Sequence, residues 1–187
     1  VVPIDVQAMH VDLLAFPGHK GLFGPSGTGG LYVGPRAKPR AWREGGTGGD
    51  STSPTQPREY PHYLEGGTPN VLGVVGLVAG LDYVEAETPE AIRRHEVDLC
   101  ERLRAGLLAL DGFEVIGHAD PARRVGTMAF KGPPGFDSET LGGVLDATFG
   151  IAVRAGLHCS PYVHRAVGSG DEGLVRVSPG PFNTPEH

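Results

Sequence analysis

An α/β fold in two units is what this 187-residue sequence predicts, and three observations predict it. Short strand-like runs at His10 to Phe16 and Gly29 to Val33 are joined by a glycine-rich segment, 17 to 28. A long apolar segment, NVLGVVGLVAGLDYV, then follows a Thr68-Pro69 pair that suits a helix entry. Beyond Thr88, helix-period and strand-like segments alternate, which is the signature of α/β architecture.

Each element has its own warrant. NVLGVVGLVAGLDYV is apolar on nearly every face and reads as a buried helix. Thr88-Pro89-Glu90 opens a second helix, in which Ile92, His95 or Glu96, Leu99, Leu103 and Leu107 give amphipathic spacing and Gly112 lies just past the end. FEVIG and VGTMAFK read as strands. DSETLGGVLDATFG reads as a helix capped by Asp137, and IAVR and LVRVS read as further strands. The boundary between units falls near Val84 to Thr88, giving residues 1–84 and 85–187. Residues 34–67, rich in Pro, Gly, Ser and Thr, form a long loop of the kind that carries function or moves.

The bulk numbers exclude several classes. A net charge of −6 and a pI near 5.7 argue against nucleic acid as the main partner, because no basic stripe is available for phosphates. The stretch Val71 to Leu81 is too short and too glycine-rich to span a bilayer. The first residues, VVPIDVQAMH, carry no basic n-region. Cys100 and Cys159 make neither a disulfide framework nor a CxxC pair, which favours a reducing, cytoplasmic setting. The start in VVPIDV and the stop at FNTPEH, a helix entry with no helix after it, suggest a trimmed chain or a fragment.

Some motifs fail on context. GPSGTGG lacks the GK[ST] that ends a Walker loop. Residues 168–173, GSGDEG, match G-x-G-x-x-G in letters, but a strand follows instead of a helix, so they read as a tight surface turn. HCSPYVH, residues 158–164, lacks the third or fourth ligand a zinc site needs, although His10, His19 and His62 could converge on it.

Others point to chemistry. Lys20 sits in PGHKG, wedged between Gly18 and Gly21. A lysine amine becomes a nucleophile when its proton is removed, and it then condenses with an aldehyde. The glycines would let a bulky cofactor approach the backbone, and His19 could donate to a phosphate or stack on a ring. The plain alternative is an ordinary loop lysine. Gly156 and Pro161 bracket Cys159 in a loop, where Arg154, His158 and His164 could favour its thiolate. The alternative there is an inert buried thiol. Arg154 and Arg176 end two short strands, and each could fork onto a carboxylate or form a weak surface pair.

The stretches GHKGLFGPSGTGGLYV, EGGTPNVLGVVGLVAGLDYV, GIAVRAGLHCSPYVHRAVG and VRVSPGPFNTPE, in this order, together resemble the cysteine desulfurase and selenocysteine lyase branch of the class V aminotransferases. These are fold-type I pyridoxal phosphate enzymes. The resemblance implies that residues 1–84 are the C-terminal part of a cofactor-binding large domain. Residues 85–187 would be a small C-terminal domain, cut at its last helix.

The resemblance also implies roles. Lys20 would be the Schiff-base lysine and the base that moves the substrate α-proton. His19 would touch the cofactor phosphate. Gly45, Gly46 and Thr47 would reach the phosphate of the other subunit's cofactor, so the site would need a homodimer. Cys159 would take sulfur from L-cysteine as a persulfide, releasing alanine, or selenium from selenocysteine. Arg176 would hold the substrate carboxylate, with Arg154 assisting, and a sulfur-acceptor protein would follow.

The sequence departs from the family at Pro17, where a phosphate-binding Ser or Thr is usual; Pro17 offers neither hydroxyl nor N–H. The family's aspartate for the pyridine nitrogen would fall before Val1. Another class V activity, or a chain that only dimerises or binds, are the competing expectations.

Overall fold

The computed structural model describes residues 2–46 and 52–187, which divide into two compact units. One holds Pro3–Glu87. The other holds Thr88–His187 together with Val2.

In the Pro3–Glu87 unit, β1 (Leu13–Pro17) pairs antiparallel with β2 (Gly29–Val33), Leu13 opposite Val33 and Pro17 opposite Gly29. β1 starts later than the sequence reading because His10 adopts a left-handed φ of 54° in a turn. Arg36 braces this ribbon through a 2.8 Å pair with Asp12. Helix α1 spans Val71–Glu87. Its entry is set by Asn70, whose Oδ1 accepts from the Gly73 amide at 3.0 Å, and not by Thr68.

The sequence reading of α1 as a buried helix does not hold within this unit. Only Gly73, Leu77, Gly80 and Val84 are buried, on a narrow stripe. Leu72 is 87% exposed, and Val71, Val74, Val75 and Val78 are also exposed. Glycines form half of the stripe, and at Gly80 the Leu22–Gly24 backbone lies directly on the helix.

In the Thr88–His187 unit, α2 (Pro89–Leu108) begins at Thr88, whose hydroxyl accepts from the Ala91 amide at 3.3 Å. Ile92, Glu96, Val97, Cys100 and Leu107 face inward. β3 (Glu114–Ile116), β4 (Met128–Lys131) and β5 (Val175–Val177) form an antiparallel sheet in the order β3-β4-β5. α3 (Ser138–Phe149) is capped by Asp137, which accepts from the Thr140 amide at 2.7 Å, and ends at Gly150 in the left-handed region.

The core gathers Cys100 and Leu107 of α2 with Met128, Phe130 and Val175 of the sheet, flanked by Leu141, Leu145 and Val153. Full burial of a side chain of this size contributes roughly 1.5–3 kcal/mol. Segment IAVR, expected as a strand, forms only an isolated bridge, Arg154 opposite Arg176. The segment from Gly156 to Ser160 around Cys159 is a loop, as expected, and a short helix, α4 (Pro161–Ala166), follows it.

Candidate functional site

The predicted site residues fall in both units: His19, Lys20, Gly45 and Gly46 in one, Arg154, Cys159 and Arg176 in the other. Thr47 lies outside the described residues.

Lys20 lies in the turn that follows β1. The Gly24 amide donates to the Gly18 carbonyl at 2.9 Å, and the Phe23 amide donates to the Lys20 carbonyl at 3.0 Å. Phe23, at a left-handed φ of 56°, meets Tyr83 of α1 edge-on at 5.5 Å between ring centroids. The turn is thereby held on α1, with His19 and Lys20 exposed. Among the described residues, the Lys20 amine has no hydrogen bond or ion pair.

Close packing of the chain on itself explains several of the glycines here. A Cβ on Gly18 would fall 2.3 Å from Thr28 Oγ1 and 3.1 Å from Leu77. One on Gly24 would fall 2.7 Å from Leu77 Cδ1. From the helix side, a Cβ on Gly80 would fall 2.2 Å from the Leu22 carbonyl oxygen. At these three positions the absence of a side chain lets the turn pack against Thr28 and α1.

Further along, the Gly45 amide donates to Gln56 Oε1 at 3.3 Å, and the Gly46 carbonyl accepts from the Gly67 amide at 2.9 Å. A Cβ on Gly46 would meet nothing within 4 Å, so its backbone faces open space. Gln56 also donates to the carbonyls of His62 and Glu65, stitching the long loop together.

In the other unit, Arg154 and Arg176 form a reciprocal backbone pair, 3.0 Å and 2.7 Å between amide and carbonyl. Arg176 Nε is buried and without a hydrogen-bond partner among the described residues. A buried, unpaired guanidinium nitrogen of this kind calls for an acceptor.

Cys159 is exposed, and Arg154 Nη2 lies 3.9 Å from its sulfur. His158 and Cys159 adopt left-handed φ values of 53° and 58° in succession. For non-glycine residues this costs roughly 1–2 kcal/mol each. Strain of this kind persists only where surrounding contacts over-determine the backbone.

The two histidines make hydrogen bonds away from the Cys159 sulfur. His158 Nε2 donates to the Arg154 carbonyl at 2.9 Å. His164 is buried, its Nδ1 2.8 Å from Ser169 Oγ. The Ser169 hydroxyl donates to the His164 carbonyl at 3.2 Å, so Nδ1 carries the proton that Oγ accepts. The imidazoles lie 5.1 Å apart. Burial holds His158 below the usual imidazole range; the Arg176 and His164 charges act the same way, while the Arg154 and Leu174 carbonyls oppose. The support of His164 by Ser169 was not foreseen. Its only sequence signal is the five-residue separation across the turn that ends α4.

Cys100 is the opposite kind of thiol. It is buried in the core, and burial pushes it up to about 11. Arg124 beside it acts to lower that value, while Glu96 and Glu101 add to the rise. Among the described residues, no group of three or more His, Cys, Asp or Glu could hold a metal ion. No described helix is long and apolar enough to cross a membrane.

The chain is similar in sequence and fold to known proteins. A probable cysteine desulfurase of Methanothermobacter thermautotrophicus is 35% identical across 98% of the chain, which spans 46% of that relative. A cysteine desulfurase of Dickeya dadantii is 40% identical across 84% of the chain, spanning 38% of its length. Among solved structures, the Escherichia coli cysteine desulfurase CsdA superposes with a TM-score of 0.83 at 31% identity, covering 98% of this chain and 45% of that one. The apo cysteine desulfurase of Thermococcus onnurineus gives 0.80 at 32% identity, covering 97% and 45%. The chain thus spans less than half the length of these relatives. The aminotransferase class-V family model matches residues 1–187, so this chain belongs to the class-V aminotransferase family.

Proposed function

We propose that this chain carries the lysine and the cysteine of a pyridoxal-phosphate-dependent cysteine desulfurase. Such an enzyme moves sulfur from L-cysteine onto an enzyme cysteine as a persulfide and releases L-alanine. The observation that carries the reading is Cys159: an exposed thiol on a strained turn, 3.9 Å from Arg154, which bridges Arg176.

The donor set fits the aldehyde end of the cofactor, because the Lys20 amine is exposed on a turn fixed to α1. At the phosphate end, Pro17 contributes no donor and His19 is the neighbouring candidate. When bound, pyridoxal phosphate supplies the electron sink that weakens bonds to the substrate α-carbon. Lys20 would hold the cofactor and shuttle the α-proton through its amine. Arg176 would fork onto the substrate carboxylate, meeting the acceptor its Nε lacks, with Arg154 assisting. The Cys159 thiolate would form an S–S bond to the substrate sulfur as the carbon–sulfur bond breaks. The carbon left behind takes a proton and departs as alanine.

The break between Glu87 and Thr88 supports a cofactor-binding portion followed by a small C-terminal domain. The exposed Gly45-Gly46 backbone supports a homodimer in which this loop, with Thr47, reaches the partner's cofactor phosphate. The reading places the enzyme in the cytoplasm, acting on cysteine and handing sulfur to an acceptor protein.

The test is to add pyridoxal phosphate, reduce with borohydride and locate the adduct by peptide mass spectrometry. An adduct confined to Lys20 and absent in Lys20→Ala supports the reading. In a chain extended to the length of its relatives, feeding L-cysteine should place a persulfide on Cys159. Full sulfur transfer by the Cys159→Ala variant would overturn that residue's role.

A further inference from the structure

The Arg154 carbonyl is a shared acceptor. It receives the Arg176 amide at 2.7 Å and the His158 ring Nε2 at 2.9 Å. The residue after His158 is Cys159, and both are held at left-handed φ. The Ser160 amide donates to the Leu157 carbonyl at 2.8 Å, closing the turn on itself. Behind His158 stands the buried His164 ring, 5.1 Å away and fixed by Ser169. The ring of His158 thus joins three things: the arginine bridge, the turn that presents the thiol, and a buried polar pair.

We propose that His158 is a positioning residue, whose ring pins the strained 158–159 turn to the Arg154–Arg176 bridge and so holds the Cys159 sulfur beside the Arg154 guanidinium. The inference rests on the reading of Cys159 as the sulfur-carrying residue, but it concerns the geometry of the turn. Two consecutive non-glycine residues at positive φ relax unless something holds them. On this turn the described side-chain contacts are the His158 ring on the Arg154 carbonyl, the Arg154 guanidinium on the Cys159 sulfur at 3.9 Å, and a contact of 3.4 Å from the Ser160 hydroxyl to the His158 carbonyl; of these the ring bond is the shortest. The Nδ1–H···Oγ bond gives the buried His164 ring one orientation, and that ring presents a fixed face for His158 to pack on. Electrostatics points the same way. Burial, with the Arg176 and His164 charges, acts against a charge on His158, and its Nε2–H donates to the Arg154 carbonyl. Moving that ring moves the sulfur relative to Arg154, because Cys159 is its immediate neighbour in the chain.

The test reads the thiol without cofactor or cysteine, so its failure is distinct from failure of the desulfurase reading. The iodoacetamide rate constant at Cys159 is measured at one neutral pH by intact mass, with amide hydrogen exchange over residues 156–164. His158→Phe keeps a ring against His164 and removes the donor. His158→Gln restores an N–H donor of similar reach. His158→Phe should slow alkylation about fivefold, the scale one hydrogen bond supplies, and speed exchange across the turn. His158→Gln should recover most of both. If His158→Phe does not fold, Ser169→Ala leaves His158 in place, frees the His164 ring and should shift both readouts in the same direction. Equal rates in wild type and His158→Phe, or equal loss in the Phe and Gln variants, would overturn the proposal.

Discussion

Arg154 and Arg176 face each other across an antiparallel backbone bridge, each amide donating to the other's carbonyl at 3.0 and 2.7 Å. Residues directly opposite in such a pair project to the same face, and like charges placed so are destabilising. Arg176 adds a second cost, a buried Nε without a partner among the described residues. Two cations on one face, one of them unsatisfied, would be relieved by a bound anion.

Replacing Arg176 with Met should therefore separate stability from binding. Removing the unsatisfied nitrogen and the opposed charge stabilises by roughly 1 kcal/mol. For a chain of this size that is about 2–4 °C in melting temperature. Response to a carboxylate-bearing substrate should fall sharply, while borohydride capture of pyridoxal phosphate at Lys20 is unchanged. Calorimetry and mass spectrometry read the two effects independently, and a lower melting temperature would show that Arg176 is held by contacts its burial does not reveal.

The thiols should behave as opposites. Iodoacetamide at pH 8 should label Cys159, which is exposed, and leave Cys100 untouched. Cys100 is buried and is pushed up to about 11 from 9.0. A raised value means the stability tied to its neutral form is fully present below pH 9.0 and is lost as pH rises through about 11. Cys100→Ala should flatten the alkaline limb of the stability curve. It should also lower the neutral plateau by about 1–2 kcal/mol, through the small cavity it leaves.

Much of this was legible in the sequence, and the failures have physical causes. Thr88 and Asp137 cap helices as read, because a hydroxyl or carboxylate followed by a helical run acts locally. Asn70 was missed at α1 because Thr68-Pro69 offers an equally good local signal, and only the folded chain shows which carbonyl and amide meet. The α1 reading failed because apolar content reports what must be covered, not which contacts within one unit cover it. Arg154, Cys159 and Arg176 were recognisable as chemistry. The shared Arg154 carbonyl was not, since backbone acceptors leave no mark in residue identity, and the His164–Ser169 pair left only a five-residue separation.

His158 should titrate low. Its ring is held below the usual 6.5, first by burial and then by the Arg176 and His164 charges. A depressed value means the associated stability is present above pH 6.5 and is lost as pH falls through the lower folded value. Imidazole proton shifts followed by NMR should give His158 a midpoint below 6.5. A midpoint at or above 6.5 would mean that the carbonyls of Arg154 and Leu174 outweigh burial.

The Lys20 turn offers the sharpest contrast between glycines. A Cβ at Gly80 would lie 2.2 Å from the Leu22 carbonyl oxygen and 3.0 Å from the Phe23 carbonyl carbon, both backbone atoms with little freedom to yield. Gly80→Ala must lift the turn off α1, with an overpacking cost of about 1–3 kcal/mol. Because Phe23 reaches Tyr83 from the same turn, the displacement carries Lys20 with it. Capture of pyridoxal phosphate at Lys20 should lose its selectivity over other lysines. Gly106, inside α2 with nothing within 4 Å of a built Cβ, is the control. There, alanine removes only the flexibility of glycine in a helix and should stabilise by about 0.5–1 kcal/mol. Opposite signs at two helical glycines, with Lys20 capture changed only by Gly80→Ala, would tie the orientation of the lysine to its backbone contact with α1.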